Sequence, residues 1–410
     1  MKNDPAFNWQ IDHQCPQCGA PVTLSESDRL LLCIYCRTKL YLVTDDHFRY
    51  CIPANASSFR NIVYMPYWRM KGLSFSVLAD GLENRFFDTT LCAIEAHGIP
   101  SSLGLRPQAM KLKFASPDMK GQFRKPVLNA RTVMERMNQK SASSVHRVFI
   151  GEMVSIIYSP MYLKDNMLHD ALLDRPVCPV KEEEVDEYLS SNHSQVWQVR
   201  FVSTLCPRCG WDLQGEKDAL VLTCANCDSA WTCRGDTFEK VAFSVVAHTG
   251  SAPHYLPFWR MKPRIEGIAL ASYADLIRVG NLPKVITDAF EERPLYFWSP
   301  AFKVNPTLFL RWSRQMTVSQ PLGKTVETLP RTALYPVTLP SSEALESIII
   351  TIASLITDKR RLFPSLSDIR IALEESILEY HPFVVSRNEL IHTKLRLSMD
   401  KNALAFGTSL

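Results

Sequence analysis

The sequence predicts a β-rich α+β protein that contains two copies of one module. A four-cysteine pattern occurs twice at a fixed distance, and a tryptophan-containing segment repeats at that same distance. Short runs of aromatic and β-branched residues, typical of strands, are separated by many of the 26 prolines. We therefore expect a tandem duplication of a whole module and not a solenoid, whose repeats are far shorter.

The cysteine pattern comes first along the chain. Each quartet contains two Cys-x-x-Cys pairs separated by fourteen residues, and the second quartet follows the first by 191 positions. The predicted metal ligands are Cys15, Cys18, Cys33, Cys36, Cys206, Cys209, Cys224 and Cys227. Four thiolates at this spacing form the closed tetrahedral site of structural Zn²⁺, so we expect two Zn²⁺ ions per chain. Iron in the same four-thiolate site is the alternative.

The tryptophan segment follows each quartet. Residues 64–71 and 255–262 share six of eight positions at the offset of the cysteines. Alternation along a strand would place the tryptophan in a core and the basic residues against water or acidic groups. A weak match of Ala109 with Ala301, and a later match of Tyr158 with Tyr380 at a larger offset, indicate about thirty extra residues in the second copy.

Strands are predicted from their aromatic and β-branched content at residues 62–75, 148–158 and 241–246. Helices are few. Residues 129–140 form a short amphipathic candidate, and residues 342–357 form the strongest one, with Ser342 as its cap and apolar residues on one face. Its apolar stretch is only about ten residues, too short to span a bilayer.

The two quartets resemble the zinc ribbons of the rubredoxin-like, TFIIB-type superfamily. The resemblance rests on residues 15–19 (CPQCG) and 206–210 (CPRCG), where the glycine allows the left-handed turn of a metal knuckle. Together with the tryptophan segment, the chain looks like a tandem duplicated bacterial zinc-ribbon protein of uncharacterised role. This resemblance implies a metal-stabilised scaffold, and the chain has no motor motif that would support a helicase role.

The sequence thus predicts five parts, in which each small ribbon depends on its metal for stability. They are zinc ribbon 1 (1–50), β-rich module 1 (51–175), a linker (176–199), zinc ribbon 2 (200–240) and β-rich module 2 (241–410), with a helical insertion near 340–360.

Charge is distributed unevenly along the chain. The formal net charge is +4, and two four-thiolate zinc sites would bring the balance near zero. Each ribbon contains five basic and six acidic residues, whereas residues 104–147 contain ten basic and two acidic residues. This basic segment could contact an acidic protein, nucleic acid or anionic lipid, or be a solvated loop. Its candidate partner-binding residues are Arg106, Lys111, Lys113, Arg124 and Lys125.

The function classes follow from what the sequence contains and lacks. Nucleotide-binding, nucleophile-elbow and zinc-protease motifs are missing, so we expect no enzyme. The leading hypothesis is a non-enzymatic scaffold or adaptor that acts in a protein assembly and binds a protein partner. The first alternative is a nucleic-acid-binding zinc-ribbon protein, and the second is a rubredoxin-like iron protein that transfers electrons.

The remaining features concern location and the other cysteines. The sequence shows no signal peptide and no transmembrane segment, and its cysteines suit metal in a reducing compartment, so we expect a cytoplasmic protein. Its oligomeric state stays open. The four cysteines outside the quartets are expected to be small buried residues, and His13 and His47, which flank the first quartet, to be incidental.

Overall fold

The chain folds into two units. The structure, a computed structural model, describes residues 9–54, 61–79, 81–95, 98–104, 111–116, 118–138, 144–181, 199–249, 253–332, 334–359 and 363–404. Unit 1 comprises Met1–Lys71, Phe87–Ser141 and Met153–Ser203, and unit 2 comprises Gly72–Phe86, Ala142–Glu152 and Thr204–Leu410. The described part is rich in strands and contains fewer helices, which confirms the β-rich α+β class.

In the described residues of the first half of the chain, nearly all of the regular secondary structure is β-strand. The strands are β1 (Gln10–Gln14), β2 (Pro21–Ser25), β3 (Leu30–Leu32), β4 (Lys39–Val43), β5 (Phe48–Cys51), β6 (Ile62–Val77), β7 (Leu82–Cys92), β8 (Lys113–Phe114), β9 (Gln122–Phe123), β10 (His146–Lys164), β11 (Met167–Asp170), β12 (Arg175–Pro179) and β13 (Arg200–Ser203), with helix α1 (Ala130–Asn138) before β10.

The second half adds helices to a similar set of strands. The strands are β14 (Val221–Cys224), β15 (Ser229–Arg234), β16 (Thr237–Val241), β17 (Phe243–Val246), β18 (His254–Glu266), β19 (Phe297–Pro300), β20 (Thr325–Val326), β21 (Arg370–Ser386), β22 (Glu389–His392) and β23 (Ser398–Asp400). The helices are α2 (Tyr273–Gly280), α3 (Asp288–Glu291), α4 (Pro306–Ser319) and α5 (Ser341–Leu355), followed by a 3₁₀ helix (Phe363–Asp368).

The two large sheets have the same strand order. The first contains the path β7-β6-β10-β5-β8, and the second contains β19-β18-β21-β17-β20. In both, the short strand after the cysteine quartet pairs in parallel with the long central strand, β5 with β10 and β17 with β21. In addition, a hairpin strand pairs with each central strand, β11 with β10 and β22 with β21, and one further strand pairs with the hairpin strand, β12 or β23; β9 is additional in the first sheet.

The central strand of each sheet continues into a tight hairpin. Between β10 and β11, Asp165 and Asn166 both have positive φ, of 50° and 55°. Between β21 and β22, Arg387 has a φ of 53° and precedes Asn388. Two-residue turns with left-handed residues match the twist of paired strands, and Asn and Asp tolerate this conformation best.

The strand that contains the first tryptophan segment is more buried than the sequence indicates. Every residue of β6 is buried, including Arg69 and Lys71. The basic face therefore meets acidic groups and not water, which was one of the two expected outcomes. A strand in the middle of a sheet is covered on both faces when other elements pack on each side, and such burial depends on tertiary contacts.

The two predicted helices are present with small shifts. In α1 the Asn129 side chain accepts from the backbone N–H of Thr132 at 2.8 Å, as an N-cap does. In α5 the predicted cap Ser342 is wrong, because the helix already begins at Ser341, and Pro340 before it provides no side-chain cap. Within the part of the chain that the structure describes, no helix is both long and apolar enough to cross a membrane.

Helices α2 and α4 were not anticipated from the sequence. In α2, Ser272 and Asp275 form a reciprocal capping box, with Ser272 accepting from the Asp275 N–H at 3.2 Å. In α4, Asn305 caps the helix and Pro306 occupies its first turn. A search for Ser-x-x-Asp and Asn-Pro signals would have found both helix starts.

Each unit has its own apolar core. In unit 1 the core includes Trp9, Leu31, Tyr67 and Ile157, so it extends from the first cysteine region to the large sheet. In unit 2 the core surrounds the buried face of α5 and includes Trp298 and Trp312, among other large side chains. A core of this size contributes to the stability of unit 2 independently of any bound metal.

Candidate metal centres

Both cysteine quartets lie on the same backbone framework. In the first knuckle, the Cys15 N–H donates to the Ala20 carbonyl at 2.8 Å, and the Gly19 N–H donates to the Cys15 carbonyl at 2.8 Å. In the second quartet the Cys206 N–H donates to the Trp211 carbonyl at 2.8 Å, and the Gly210 N–H to the Cys206 carbonyl at 2.9 Å. These turns hold the sulfur atoms of each pair on one side of the chain.

The knuckle glycines are required by backbone conformation and not by space. Gly19 has a φ of +74° and Gly210 a φ of +73°. A Cβ at either position would meet no atom within 4 Å, so the room for a side chain exists. Any other residue would nonetheless adopt the left-handed region at a cost of roughly 1–2 kcal/mol.

The sulfur atoms of each quartet are spaced as a tetrahedral metal site requires. In the first quartet the Sγ atoms of Cys15 and Cys36 are 3.7 Å apart, and those of Cys18 and Cys33 are 3.6 Å apart. The corresponding distances in the second quartet are 3.6 Å and 3.5 Å. Four sulfurs at roughly 2.3 Å from a zinc ion lie about 3.8 Å from one another. Both quartets can therefore hold a metal ion, and no further protein ligand is needed to close the tetrahedron.

A hydroxyl group supports one cysteine of each quartet. The Thr38 hydroxyl lies 3.2 Å from the Cys36 sulfur, and the Ser229 hydroxyl lies 3.0 Å from the Cys227 sulfur. Trp231 in turn donates its indole N–H to the Ser229 hydroxyl at 2.8 Å. A hydroxyl that donates to a thiolate stabilises its charge, and the hydrogen bond with Thr38 is the largest cause that lowers the pKa of Cys36 to about 6.

The sequence did not identify Thr38 and Ser229, although a signal was present. Each hydroxyl residue occurs two positions after the last cysteine of its quartet. Serine and threonine are common in turns for other reasons, so their occurrence at this position does not by itself indicate a hydrogen bond to a cysteine sulfur.

The cysteines outside the quartets do not form a further site in the described residues. Cys51 and Cys178 are buried, and burial raises the pKa of the Cys51 thiol. Cys92 and Cys233 are only partly buried. The expectation of small buried residues is thus confirmed for two of the four, and the thiols of Cys92 and Cys233 also have raised pKa values because of desolvation.

The structure brings two of the five candidate partner-binding residues together. Lys111 and Lys113 line one groove of about 950 Å³ on unit 1, and Lys111 forms an ion pair with Asp12 at 3.2 Å. Arg124 and Lys125 are not among the residues that line this groove. Arg106 lies outside the described residues.

Aromatic rings form the wall of the same groove. The His13 ring stacks on Phe201 with 5.2 Å between the ring centroids and meets Phe114 edge-on at 5.2 Å. Burial lowers the pKa of His13, so the ring is neutral at physiological pH. His13 therefore belongs to an aromatic cluster of this groove, while His47 packs edge-on against Trp68.

The repeated tryptophans occupy matching positions in their sheets. The Trp68 indole N–H donates to the Leu128 carbonyl at 2.7 Å, two residues before α1. The Trp259 indole N–H donates to the Leu339 carbonyl at 2.8 Å, two residues before α5. Both side chains are buried, as the alternation of side chains along each strand predicts.

The backbone around these tryptophans repeats the same hydrogen bonds. The Ala93 N–H donates to the Pro66 carbonyl, and its own carbonyl accepts from the Leu128 N–H, both at 2.9 Å. The Ala301 N–H donates to the Pro257 carbonyl, and its own carbonyl accepts from the Leu339 N–H, both at 3.0 Å. Ala301 therefore corresponds in hydrogen bonding to Ala93, whereas its sequence match Ala109 lies outside the described residues.

In unit 1 a buried cluster of ionic side chains connects the first ribbon to β6. Arg69 bonds both oxygens of Glu26, at 3.0 Å and 3.2 Å, and also pairs with Asp88. The Lys71 ammonium lies 3.7 Å from Glu26, and Trp9 lies over the guanidinium at 4.1 Å. Two cations thus share one buried carboxylate, and burial lowers the pKa of Lys71.

The matching arginine of unit 2 has different partners. Arg260 lies 3.6 Å from Glu379 and over the Tyr296 ring at 5.3 Å. Close to it, His381 Nδ1 lies 3.0 Å from His392 Nε2, and the other ring nitrogen of His392 accepts two backbone N–H groups. His392 therefore donates from Nε2 to His381. Burial lowers the pKa of both rings, that of His392 to about 4.

The surface of the two ribbons exposes apolar side chains at different places. Ribbon 1 exposes Ile34 (78%) and Tyr35 (64%) between the cysteines of its second pair. Ribbon 2 exposes Trp211 (58%) next to its first pair and Leu205 (52%) before it. The residues of ribbon 2 that correspond to Ile34 and Tyr35 are the smaller or more polar Ala225 and Asn226. The two quartet segments are therefore alike in their candidate metal ligands and different in the apolar side chains that they expose.

Comparisons with known proteins identify no relative of this chain. No protein-family profile matches the chain, and neither curated proteins nor solved structures give a significant match. The resemblance to zinc ribbons thus rests on the cysteine spacing and on the sulfur geometry described above.

Proposed function

We propose that the protein is a non-enzymatic, zinc-stabilised scaffold or adaptor that acts in a protein assembly. The observation that supports this most directly is the pair of apolar surfaces on the ribbons, formed by Ile34 and Tyr35 and by Trp211 and Leu205. Exposed aromatic and aliphatic side chains on a rigid, metal-fixed turn are suited to bury against a partner protein. Because the surfaces differ, each ribbon would contact a different part of the assembly.

The metal in this proposal is zinc and its role is structural. Four thiolates complete each tetrahedron, so the site provides no position for a substrate or a reacting water. Zn²⁺ has no redox chemistry, whereas iron in the same ligand set would make the protein an electron carrier. The colour of the purified protein separates the two, since ferric tetrathiolate is red and the zinc form is colourless.

We also propose that the chain arose by tandem duplication. The shared strand order of the two sheets and the repeated hydrogen bonds around Trp68 and Trp259 support this origin. On this basis α5 corresponds to α1 and is not the insertion that the sequence indicated. The extra residues of the second copy then lie largely between β18 and β19, where α2 and α3 occur.

Nucleic-acid binding is the second candidate, and the groove of unit 1 favours it. Lys111 and Lys113 lie beside the rings of Phe114 and Phe201 there, an arrangement of cations and aromatics found in single-strand binding sites. Against it, Asp12 neutralises Lys111 and each ribbon has more acidic than basic residues. Binding through several phosphates would weaken by about three to five decades between 50 and 200 mM salt.

The proposal is tested by co-purification from the native cell with the wild-type protein, Ile34→Asp and Trp211→Ser. We expect a stoichiometric protein partner that at least one of these variants loses, because truncating a central apolar contact typically weakens an interface by tenfold or more, about 1.4 kcal/mol. Val285→Asp is the matched control, since Val285 is an exposed β-branched residue outside the ribbons (85%).

Metal content must stay equal in all variants, so that a lost partner reports the surface and not an unfolded ribbon. Partners that both ribbon variants retain would contradict the adaptor proposal. Nanomolar, sequence-selective binding of nucleic acid at physiological salt would replace it with the second candidate.

A further inference from the structure

Unit 2 has a further candidate binding surface, whose residues are distant in sequence from both cysteine quartets. A groove of about 620 Å³ is formed by α4, the segment before β23, and side chains from three other segments. Arg311 and Arg314 line it from adjacent turns of α4, and Arg396 lines it from the segment before β23. Three guanidinium groups from two elements thus surround one concavity.

These arginines have no carboxylate partner among the described residues. Arg311 donates to the Ser398 carbonyl at 2.8 Å, a neutral group. Asp400 lines the neighbouring cavity together with Arg311, but its carboxylate accepts the Asn402 N–H at 2.7 Å. Other exposed arginines are paired, as Arg264 is with Glu266 at 3.6 Å and Arg278 with Asp275 at 3.0 Å. Like charges one helical turn apart destabilise a helix slightly, so this arrangement carries a small cost to the folded protein.

Part of the groove is apolar. This part, named the apolar floor, is formed by Leu282, Leu310, Val318, Leu395 and Leu397. The neutral polar residues Asn84, Thr307, Gln315, Ser319 and Ser354 also line the groove. An apolar concavity bordered by arginines matches the composition of protein interfaces, where aliphatic pockets take an anchor side chain and arginines bind carboxylates at the border.

We propose that this groove binds a short acidic segment of a partner protein, with an aliphatic side chain in the apolar floor and Asp or Glu side chains on Arg311, Arg314 and Arg396. The groove's composition favours a segment with several carboxylates, because its three cations come from two separate elements. The inference rests on the proposed adaptor function, and it supplies the chemistry of one partner.

The probe is a fluorescent synthetic peptide that alternates leucine with aspartate and glutamate, titrated into the full-length protein and followed by anisotropy. We expect saturable binding that weakens as salt is raised toward 1 M, where the screening length falls to about 3 Å. Arg314→Glu and Arg396→Glu should each weaken binding at least tenfold, since each replaces a charge-assisted contact by repulsion. Leu395→Ser should weaken it through loss of the apolar floor.

The matched control is Arg331→Glu, which makes the same charge change at an exposed arginine that does not line the groove. Equal weakening by this control would show non-specific charge attraction and overturn the inference, as would an absence of peptide binding at low salt. Binding of anionic vesicles without peptide binding would overturn it in favour of a lipid surface. The ribbon variants separate the two proposals: a partner that Ile34→Asp and Trp211→Ser both retain contradicts the adaptor proposal, whereas loss of peptide binding in the arginine variants reports the groove alone.

Discussion

The contribution of the buried ionic cluster of unit 1 to the free energy of unfolding can be tested by changing one residue, Glu26. In Glu26→Gln the shape of the side chain is kept and its charge is removed. Arg69, whose side chain is 1% exposed, would retain only Asp88 as an acidic partner, and Lys71 would lose the carboxylate that lies 3.7 Å from it. Breaking a buried ion pair typically costs about 3–5 kcal/mol because a charge is left without compensation.

Two features of the cluster place the expected cost at the lower end of that range. Asp88 still compensates the guanidinium, and Lys71 can release its proton, since burial already lowers its pKa. We therefore expect Glu26→Gln to reduce the free energy of unfolding by about 3 kcal/mol. For a unit of this size the melting temperature should fall by about 6–12 °C.

The assay is urea unfolding of the full-length, metal-loaded protein, followed by circular dichroism and tryptophan fluorescence. Trp9 lies over Arg69, so the cluster contributes to the fluorescence signal of the eight tryptophans. Glu375→Gln is the control, because Glu375 is half-exposed and lies 3.9 Å from Arg260, and such surface pairs contribute about 0–1 kcal/mol. A cost for Glu26→Gln below about 1 kcal/mol, or equal to that of the control, would refute the reasoning.

Two further predictions concern the metal and the histidines. The purified protein should hold two zinc ions by mass spectrometry under native conditions; Cys18→Ser and Cys209→Ser should each lose one and leave the other site loaded, whereas a single shared ion would contradict two independent sites. The lowered pKa of His392, about 4 in the folded chain, gives stability that is present above pH 6.5 and is lost as pH falls toward 4. His392→Asn should therefore flatten the acid side of the stability profile, removing up to about 3 kcal/mol of pH dependence. His381 contributes in the same direction and Glu379, whose pKa is raised, in the opposite one, so an unchanged slope in the variant would show that His392 does not titrate as described.

The two four-cysteine clusters that could hold metal were predictable because the relevant information is local. Two Cys-x-x-Cys pairs and a following glycine define a knuckle within a few residues, and the structure places all eight sulfurs as that pattern requires. The helix starts at Ser272 and Asn305 were equally local and were overlooked. The candidate partner-binding set was less successful, since only Lys111 and Lys113 share one groove and Arg106 lies outside the described residues.

The sequence by itself determined the class of fold, the two four-cysteine sites and the repeat of the tryptophan segment, because each depends on periodicity or spacing along the chain. The tertiary structure alone decided that Arg69 and Lys71 are buried against Glu26, since these partners are distant in sequence. It also decided that three arginines of unit 2 line one apolar groove. Both outcomes depend on which strands and helices pack together. The pattern of neighbouring residues along the chain does not contain that information.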